Sequence, residues 1–333
     1  MLGVDYKDWR EKMKKRTLGH TNIEVSAIAL GTMGMDHAYG PQKDRKEMIV
    51  LLRKAVELGC NFFDTAVVYG EENEMLLGEA FEPIREQVVL ATKFGIVGQE
   101  IVDDKPQNIL NSQPESIREQ LEGSLKRLRT DVIDLYYQHR VDPNVEPETV
   151  ATTMKELIEE GKIKAWGLSN APIDYIRRTH AVCPLSAIEN QYSMVWREPE
   201  KELFALCEEL GISFVAYSPL GNGFLTGKYA KETKFPEGDF RNFMGRFKPE
   251  VLDHNQALLD VIANVAKRKD ATSAQIVFAW ELAQKPFIIP IPGTTKLHRL
   301  EENLGEAALE LSDSELKEIN DALDKIGVDE THF

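Results

Sequence analysis

The stretch Gly59-Cys60-Asn61-Phe62-Phe63-Asp64-Thr65-Ala66-Val67-Val68-Tyr69-Gly70 decides how this chain is read. A helical pattern over 45–58 stops at a glycine, an apolar run follows at once, and that run ends on a carboxylate. Gly59 reads as a helix C-cap and 61–64 as a buried strand. The same device recurs at Glu209-Leu210-Gly211-Ile212, ahead of the run Ser213–Tyr217. Other apolar runs also end on reactive groups: 88–93 on Lys93, and 132–138 on Gln138 with His139 next.

Working outward, eight strands are expected at 28–30, 61–64, 88–93, 132–138, 164–168, 187–190, 213–217 and 288–290. Amphipathic helical patterns separate them at 45–58, 72–81, 115–128, 147–160, 199–210 and 252–269. Short apolar strands alternating with helices imply parallel pairing buried on both faces. Eight such units predict an α/β fold, the (β/α)₈ TIM barrel, as a single domain over 14–333. The open doubly wound sheet is the rival, but no composition break or linker divides the chain. An N-terminal β-hairpin is expected over 14–18 and 23–26, and 1–13 reads as a flexible extension. One long segment, 219–249, follows the seventh strand without sustained period. Its Phe224, Phe235, Phe240, Phe243 and Phe247 suggest a lid or clasp over a ligand, with a flexible insertion as the alternative.

Bulk properties fit a globular enzyme: 333 residues, 42% apolar, 8% aromatic. The net charge of −15 argues against nucleic acid or an anionic membrane as the main partner. The polar N-terminus has no apolar signal core, and no window is apolar enough to span a membrane. Cys60, Cys183 and Cys207 show no CxxC spacing, so a cytoplasmic, reducing setting is expected, and the seven histidines form no metal motif.

Active sites of such barrels sit at the C-terminal ends of the strands, where Asp64, Lys93, His139 and, just beyond, Tyr69 would converge. Taken singly, Asp64 could cap a helix, Lys93 could be a solvated strand end, His139 a hydrogen-bonded barrel residue and Tyr69 packing. Together they suit proton transfer to a carbonyl oxygen. A phenol is a poor donor near neutrality; an ammonium beside it lowers its pKa, and a carboxylate keeps that ammonium charged. A neutral imidazole can orient the substrate oxygen. None of the four supplies reducing equivalents, so a cofactor must bring the hydride.

Cofactor signals lie in the second half. Ser169-Asn170 and Asn190-Gln191 place polar and amide side chains after two strands, suited to a carboxamide. Tyr217 could stack on a flat ring, and the glycine-rich 218–223 suits a pyrophosphate. Gly293-Thr294-Thr295-Lys296 with Arg299 opens a helix and offers an anion site, favouring NADP over NAD. Caps, turns and a solvated helix start are the structural alternatives. The segment 221–228 is not a P-loop, being one residue too long with Tyr229 in place of Ser/Thr, and it is not a Rossmann fingerprint.

These residues resemble the aldo-keto reductase superfamily. The likeness runs from about Lys15 to Ile326 through FFDTAVVYG, LATKFG, DLYYQHRVD, GKIKAWGLSN, ENQYS, AYSPLGNGFLTGKY and IPGTTKLHRLEENLG, in order. It is most similar to the microbial and plant branches near the potassium-channel β-subunits. The resemblance implies Tyr69 as general acid, Lys93 and Asp64 as its partners, and His139 as the substrate-orienting histidine. It also implies that Ser169, Asn170 and Gln191 hold the nicotinamide carboxamide and that Tyr217 stacks on the ring. Ser218, Leu220, Gly221, Lys228 and Arg241 would clasp the pyrophosphate. Gly293, Thr295, Lys296, Arg299, Glu302 and Asn303 would take the adenosine 2′-phosphate and adenine of NADP(H).

Some positions depart from the family pattern. Val67 stands where many members are polar, Gly293 replaces a lysine of the aldose reductase branch, and the chain ends soon after Ile326. The expected function is NADPH-dependent reduction of a small-molecule aldehyde or ketone. Substrate walls are expected from Met33, Met35, His37, Tyr39, Val67, Val68, Phe94 and Trp196. The alternatives are a slow-turnover NADP(H)-sensing interaction protein like the channel β-subunits, and a Schiff-base aldolase using Lys93.

Overall fold

The computed structural model describes residues 13–40, 42–102, 105–305 and 309–330. Nearly all of the expected extension therefore lies outside the described residues. Met13, counted in it, is 6% exposed and packs into the core.

A hairpin of β1 (Lys15–Thr17) and β2 (Glu24–Ser26) comes first. Eight parallel strands follow: β3 (Leu30–Gly31), β4 (Phe62–Asp64), β5 (Val89–Phe94), β8 (Ile133–Gln138), β9 (Ile163–Ser169), β10 (Ala187–Gln191), β11 (Ser213–Tyr217) and β12 (Ile288–Pro290), each hydrogen-bonded to the next. The ring closes where Ala29 N–H donates to Pro290 O (2.9 Å) and Gly31 N–H to Pro292 O (3.1 Å). The (β/α)₈ expectation holds.

The helices form for local reasons that the sequence states. Asp44 accepts from Glu47 N–H to cap α1 (Arg45–Glu57), whose Met48, Leu51, Leu52 and Ala55 recur at helical spacing and are buried. Next come α2 (Glu71–Phe81), α3 (Pro114–Arg127) and α4 (Pro147–Glu159), the last two opened by proline at the first turn. The remainder are α5 (Ile173–Val182), α6 (Leu203–Leu210), α7 (Pro249–His254), α8 (Gln256–Lys269), α9 (Ser273–Gln284), α10 (Leu297–Leu304) and α11 (Asp313–Ile326). Gly59 and Gly211 end their helices at φ +96° and +63°, which only glycine adopts cheaply. None of the helices described is long and apolar enough to cross a membrane.

The apolar interior has two parts. One lies between strands and helices; the other fills the barrel, with Phe62, Ala91, Leu135, Tyr137, Ala165, Ala187, Val215 and Ile289. Leu18 and Val25 of the N-terminal hairpin join the inner cluster, fully buried, and cork the barrel's N-terminal end. All three cysteines are free and buried, and burial pushes the Cys60 thiol up to about 11.

Two segments differ from the sequence reading. A second hairpin, β6 (Ile96–Val102) and β7 (Lys105–Leu110), extends directly from β5. The long segment after β11 is not structureless: it holds short 3-10 turns at Gly221–Thr226, Phe240–Phe243 and Gly245–Phe247. Phe224, Tyr229, Phe235 and Phe247 pack on one another, whereas Phe243 is 74% exposed. Phe240 N–H donates to Ala38 O at 2.9 Å, tying this segment to the loop after β3.

Candidate active site

Neighbouring strands bring the first pair together. Asp64 ends β4 and Lys93 sits near the end of β5, so parallel register sets both at one barrel mouth. Lys93 Nζ donates to Asp64 Oδ1 at 2.5 Å and to Thr65 O at 2.9 Å, with both side chains essentially removed from solvent. Tyr69 occupies the 3-10 turn Val67–Tyr69, which stops at Gly70 with φ +108°. Its ring centroid is 5.4 Å from Lys93 Nζ. His139 meets that ring edge-on and His37 stacks against it, each at 6.1 Å between centroids. His139 N–H donates to Phe94 O at 2.8 Å, which anchors the loop leaving β8.

The four expected side chains thus converge, and a fifth joins them. Glu189 of β10, 3% exposed, places Oε1 3.4 Å from Lys93 Nζ. Burial alone would lower the Lys93 pKa, but the charges of Asp64 and Glu189 raise it well above the usual ammonium value. Burial raises the Asp64 pKa, opposed by the ammonium. Burial, then Lys93 and Arg140, hold His139 well below the ordinary imidazole value, so it is neutral. Tyr69 departs from expectation. Lys93 does favour its phenolate, but burial together with Asp64 and Glu189 outweighs that and raises the phenol above its usual value.

These groups open onto a cavity of about 700 Å³ lined by Asp64, Tyr69, His139 and Glu189. Ser169, Tyr217, Ser218, Leu220, Lys228 and Arg241 line the same cavity farther on. At its other end stand Gly293, Thr295, Lys296, Arg299, Glu302 and Asn303. Among the described residues neither Lys296 nor Arg299 has an ion-pair partner. Arg241 is different: it pairs with Asp239 at 2.6 Å and lies over the rings of Phe235, Tyr39 and Tyr229. Lys228 and Glu302 approach to 3.8 Å across the cavity.

Three expected cofactor residues lie elsewhere. Asn170 and Gln191 face a smaller hollow of about 330 Å³ that Tyr217 shares, and Gly221 is buried within its own turn. Asn170 Oδ1 accepts from Tyr217 Oη at 3.0 Å, and Gln191 Nε2 is buried without a partner among the described residues. Asn170, Ser218 and Asn222 all have φ near +55–59°, backbone strain of a kind that clusters at functional loops. Of the expected substrate walls, Met33, His37, Tyr39 and Val68 line the larger cavity and Trp196 the smaller. Met35 and Phe94, each 1% exposed, belong to the core between strands and helices, and Val67 lines neither cavity. Sequence reasoning missed Glu189 as a site carboxylate, and it missed Ile96, Gln99 and Asn108 of the second hairpin, which border the cavity.

A model of the aldo/keto reductase family matches residues 27–324. The chain is 42% identical over 308 residues to a protein from Glycine max described as probable aldo-keto reductase 1, covering 92% of this chain and 88% of that one. Among solved structures, a glycerol dehydrogenase from Gluconobacter oxydans superposes with a TM-score of 0.85 at 27% identity, covering 94% of this chain and 96% of that one. The holo form of an aldo-keto reductase from Bacillus halodurans gives 0.73 at 26% identity, with 93% and 96% covered.

Proposed function

The chain belongs to the aldo/keto reductase family, whose members reduce carbonyls with nicotinamide cofactors, and on that footing we propose that it reduces an aldehyde or ketone with NADPH, Tyr69 being the general acid. The observation that supports this most is the convergence of the Lys93–Asp64 ion pair, Tyr69 and a neutral His139 on one cavity whose far end carries Lys296 and Arg299.

The residues present fit the cofactor. Ser169 and Tyr217 line the cavity of the acid–base set and would face the nicotinamide, whereas Gln191 Nε2, an orphaned buried donor, lies at the smaller hollow that Tyr217 shares. Lys296, Arg299 and Thr295 at the start of α10 would hold the 2′-phosphate, and the backbone of 218–223 the pyrophosphate. When bound, a reduced nicotinamide supplies the hydride.

The chain's own groups do the rest. Tyr69, protonated throughout the working range, gives its proton to the carbonyl oxygen as charge develops there. His139, uncharged, directs that oxygen by a hydrogen bond without competing for the proton. Asp64 keeps Lys93 charged, so that a cation faces the developing alkoxide.

The test is NADPH oxidation with a reactive aryl aldehyde, run on wild type and on Tyr69→Phe. Loss of about 10²–10⁴-fold in kcat with NADPH affinity retained is the expected result. Unchanged turnover in the variant would exclude Tyr69 as the acid. NADPH binding without turnover across several carbonyls would favour a sensing role.

A further inference from the structure

Glu189 stands beside the proposed acid–base set without a part in it. In β10 it is in register with Ser169 on one side and Val215 on the other, which sets it inside the barrel mouth. Its Oε2 is buried and, among the described residues, has no hydrogen-bond partner; the same holds for Oδ2 of Asp64.

An ammonium has three N–H bonds to offer. Asp64 takes one at 2.5 Å and the Thr65 carbonyl another at 2.9 Å. Two groups stand near enough to draw on the third: Glu189 Oε1 at 3.4 Å and the phenol of Tyr69, whose ring centroid is 5.4 Å from Nζ. With both carboxylates ionised, the buried cluster also carries one negative charge too many. A single proton on Glu189 resolves both problems. It neutralises the excess charge, and it supplies the donor that these two carboxyl groups, within hydrogen-bonding reach of each other, otherwise lack.

Among the described residues Lys93 is the ion-pair partner of Glu189, while Arg140 donates to Oγ of Ser169, the register neighbour of Glu189, at 3.3 Å. Tyr137 of β8, Tyr217 of β11 and Tyr69 all feel its charge, while Arg140 acts on His139 and Tyr217.

We propose that Glu189 is a positioning residue: it holds a proton beside Asp64 and in that form leaves the third N–H of Lys93 to Tyr69. The proposal rests on the reading of Tyr69 as general acid. Burial first, then the charge of Asp64, push the Glu189 carboxyl up to about 8, within reach of working conditions. Above that pH the ionised carboxylate draws the ammonium N–H to itself and raises the Tyr69 phenol further. Carbonyl reduction therefore falls as pH rises through about 8.

The experiment compares the pH profile of kcat for wild type and Glu189→Gln, whose amide can donate to Asp64 at every pH. Wild type is expected to lose about tenfold between about pH 7 and about pH 9, as for one group titrating near 8, and the variant less than about twofold. An alkaline limb identical in both proteins, or none in wild type, overturns the proposal while leaving Tyr69 as the acid.

Infrared titration of the protein without cofactor or substrate is the second measurement. A protonated-carboxyl band that disappears through about pH 8, and is missing in Glu189→Gln, is expected. Absence of such a band in wild type overturns the proposal whatever the activity. If wild type shows the band but reduces no carbonyl, the reductase reading fails and the positioning role falls with it.

Discussion

Asn222 Nδ2 donates to Tyr39 Oη at 2.8 Å, joining the segment after β11 to the loop after β3 across the barrel mouth. Burial raises the Tyr39 phenol, so it stays protonated, and the contact persists at any working pH. Tyr39→Phe removes this bond and little else. A net hydrogen bond of about 0.5–1.5 kcal/mol corresponds to a roughly 2–12-fold weaker hold on NADPH. Fluorescence titration should show that loss with kcat unchanged or raised; an unaltered dissociation constant would mean that the clasp does not retain the cofactor.

Lys93→Met keeps the shape of the ammonium stem but leaves Asp64 buried beside Glu189 without its counter-ion. Breaking a buried pair from one side costs about 3–5 kcal/mol. Urea unfolding should show that loss at neutral pH, and adding Asp64→Asn to Lys93→Met should return part of it. Additive penalties in the double variant would show that the pair is not coupled.

The barrel interior makes a sharper steric prediction. A methyl on Gly167 of β9 would collide with the backbone oxygen of Ala187 and come within 2.7 Å of the Tyr137 ring. Overpacking of this kind costs about 1–3 kcal/mol. Gly167→Ala should therefore lower the urea midpoint, and adding Tyr137→Phe should not relieve it, because the clash is with ring carbons and backbone.

Lys296 and Arg299 bear on the choice between the two nicotinamide dinucleotides. Replacing either by alanine should weaken NADPH about tenfold and leave NADH within about twofold, as expected for loss of one charge-assisted contact to a phosphate. Equal weakening of both cofactors in a binding titration would assign these cations to another part of the ligand.

His139 stays neutral well below its ordinary value, so kcat should not fall as pH drops from about 7 to about 6. Stability moves the other way. The unfolded imidazole takes up a proton near 6.5 and the folded one does not, so this residue makes the fold less stable as pH falls below that point. A kcat limb near 6.5 that vanishes in His139→Gln would contradict the neutral imidazole.

The barrel was readable because its strands are buried on both faces, so runs such as Val89–Phe94 and Ile133–Gln138 are mostly apolar and buried end to end. Capping residues placed the helices in the same local way. What escaped depends on three-dimensional register. Glu189 and Gln191 share one face of β10, yet they sit one residue pair, about 6–7 Å, apart along the barrel axis. Sequence reading took the amide and passed over the carboxylate, because depth along a strand is fixed only by its neighbours. The second hairpin escaped for another reason: Ile101 at 70% and Val97 at 48% exposure are apolar residues on a surface, and they do not give the polar–apolar alternation that signals an edge ribbon.

Leu18 and Val25 close the base of a barrel that its own inward side chains already fill, so the cavity at the mouth is a dead end. In the proposed reaction, cofactor and carbonyl compound therefore arrive and depart through the same doorway, and whichever lies deeper is sealed in by the other. Two reactants in such a blind passage form a queue: first in, last out. Product-inhibition kinetics should read that order directly, and small residues at positions 18 and 25 should leave it unchanged, because the packed interior above them still closes the passage.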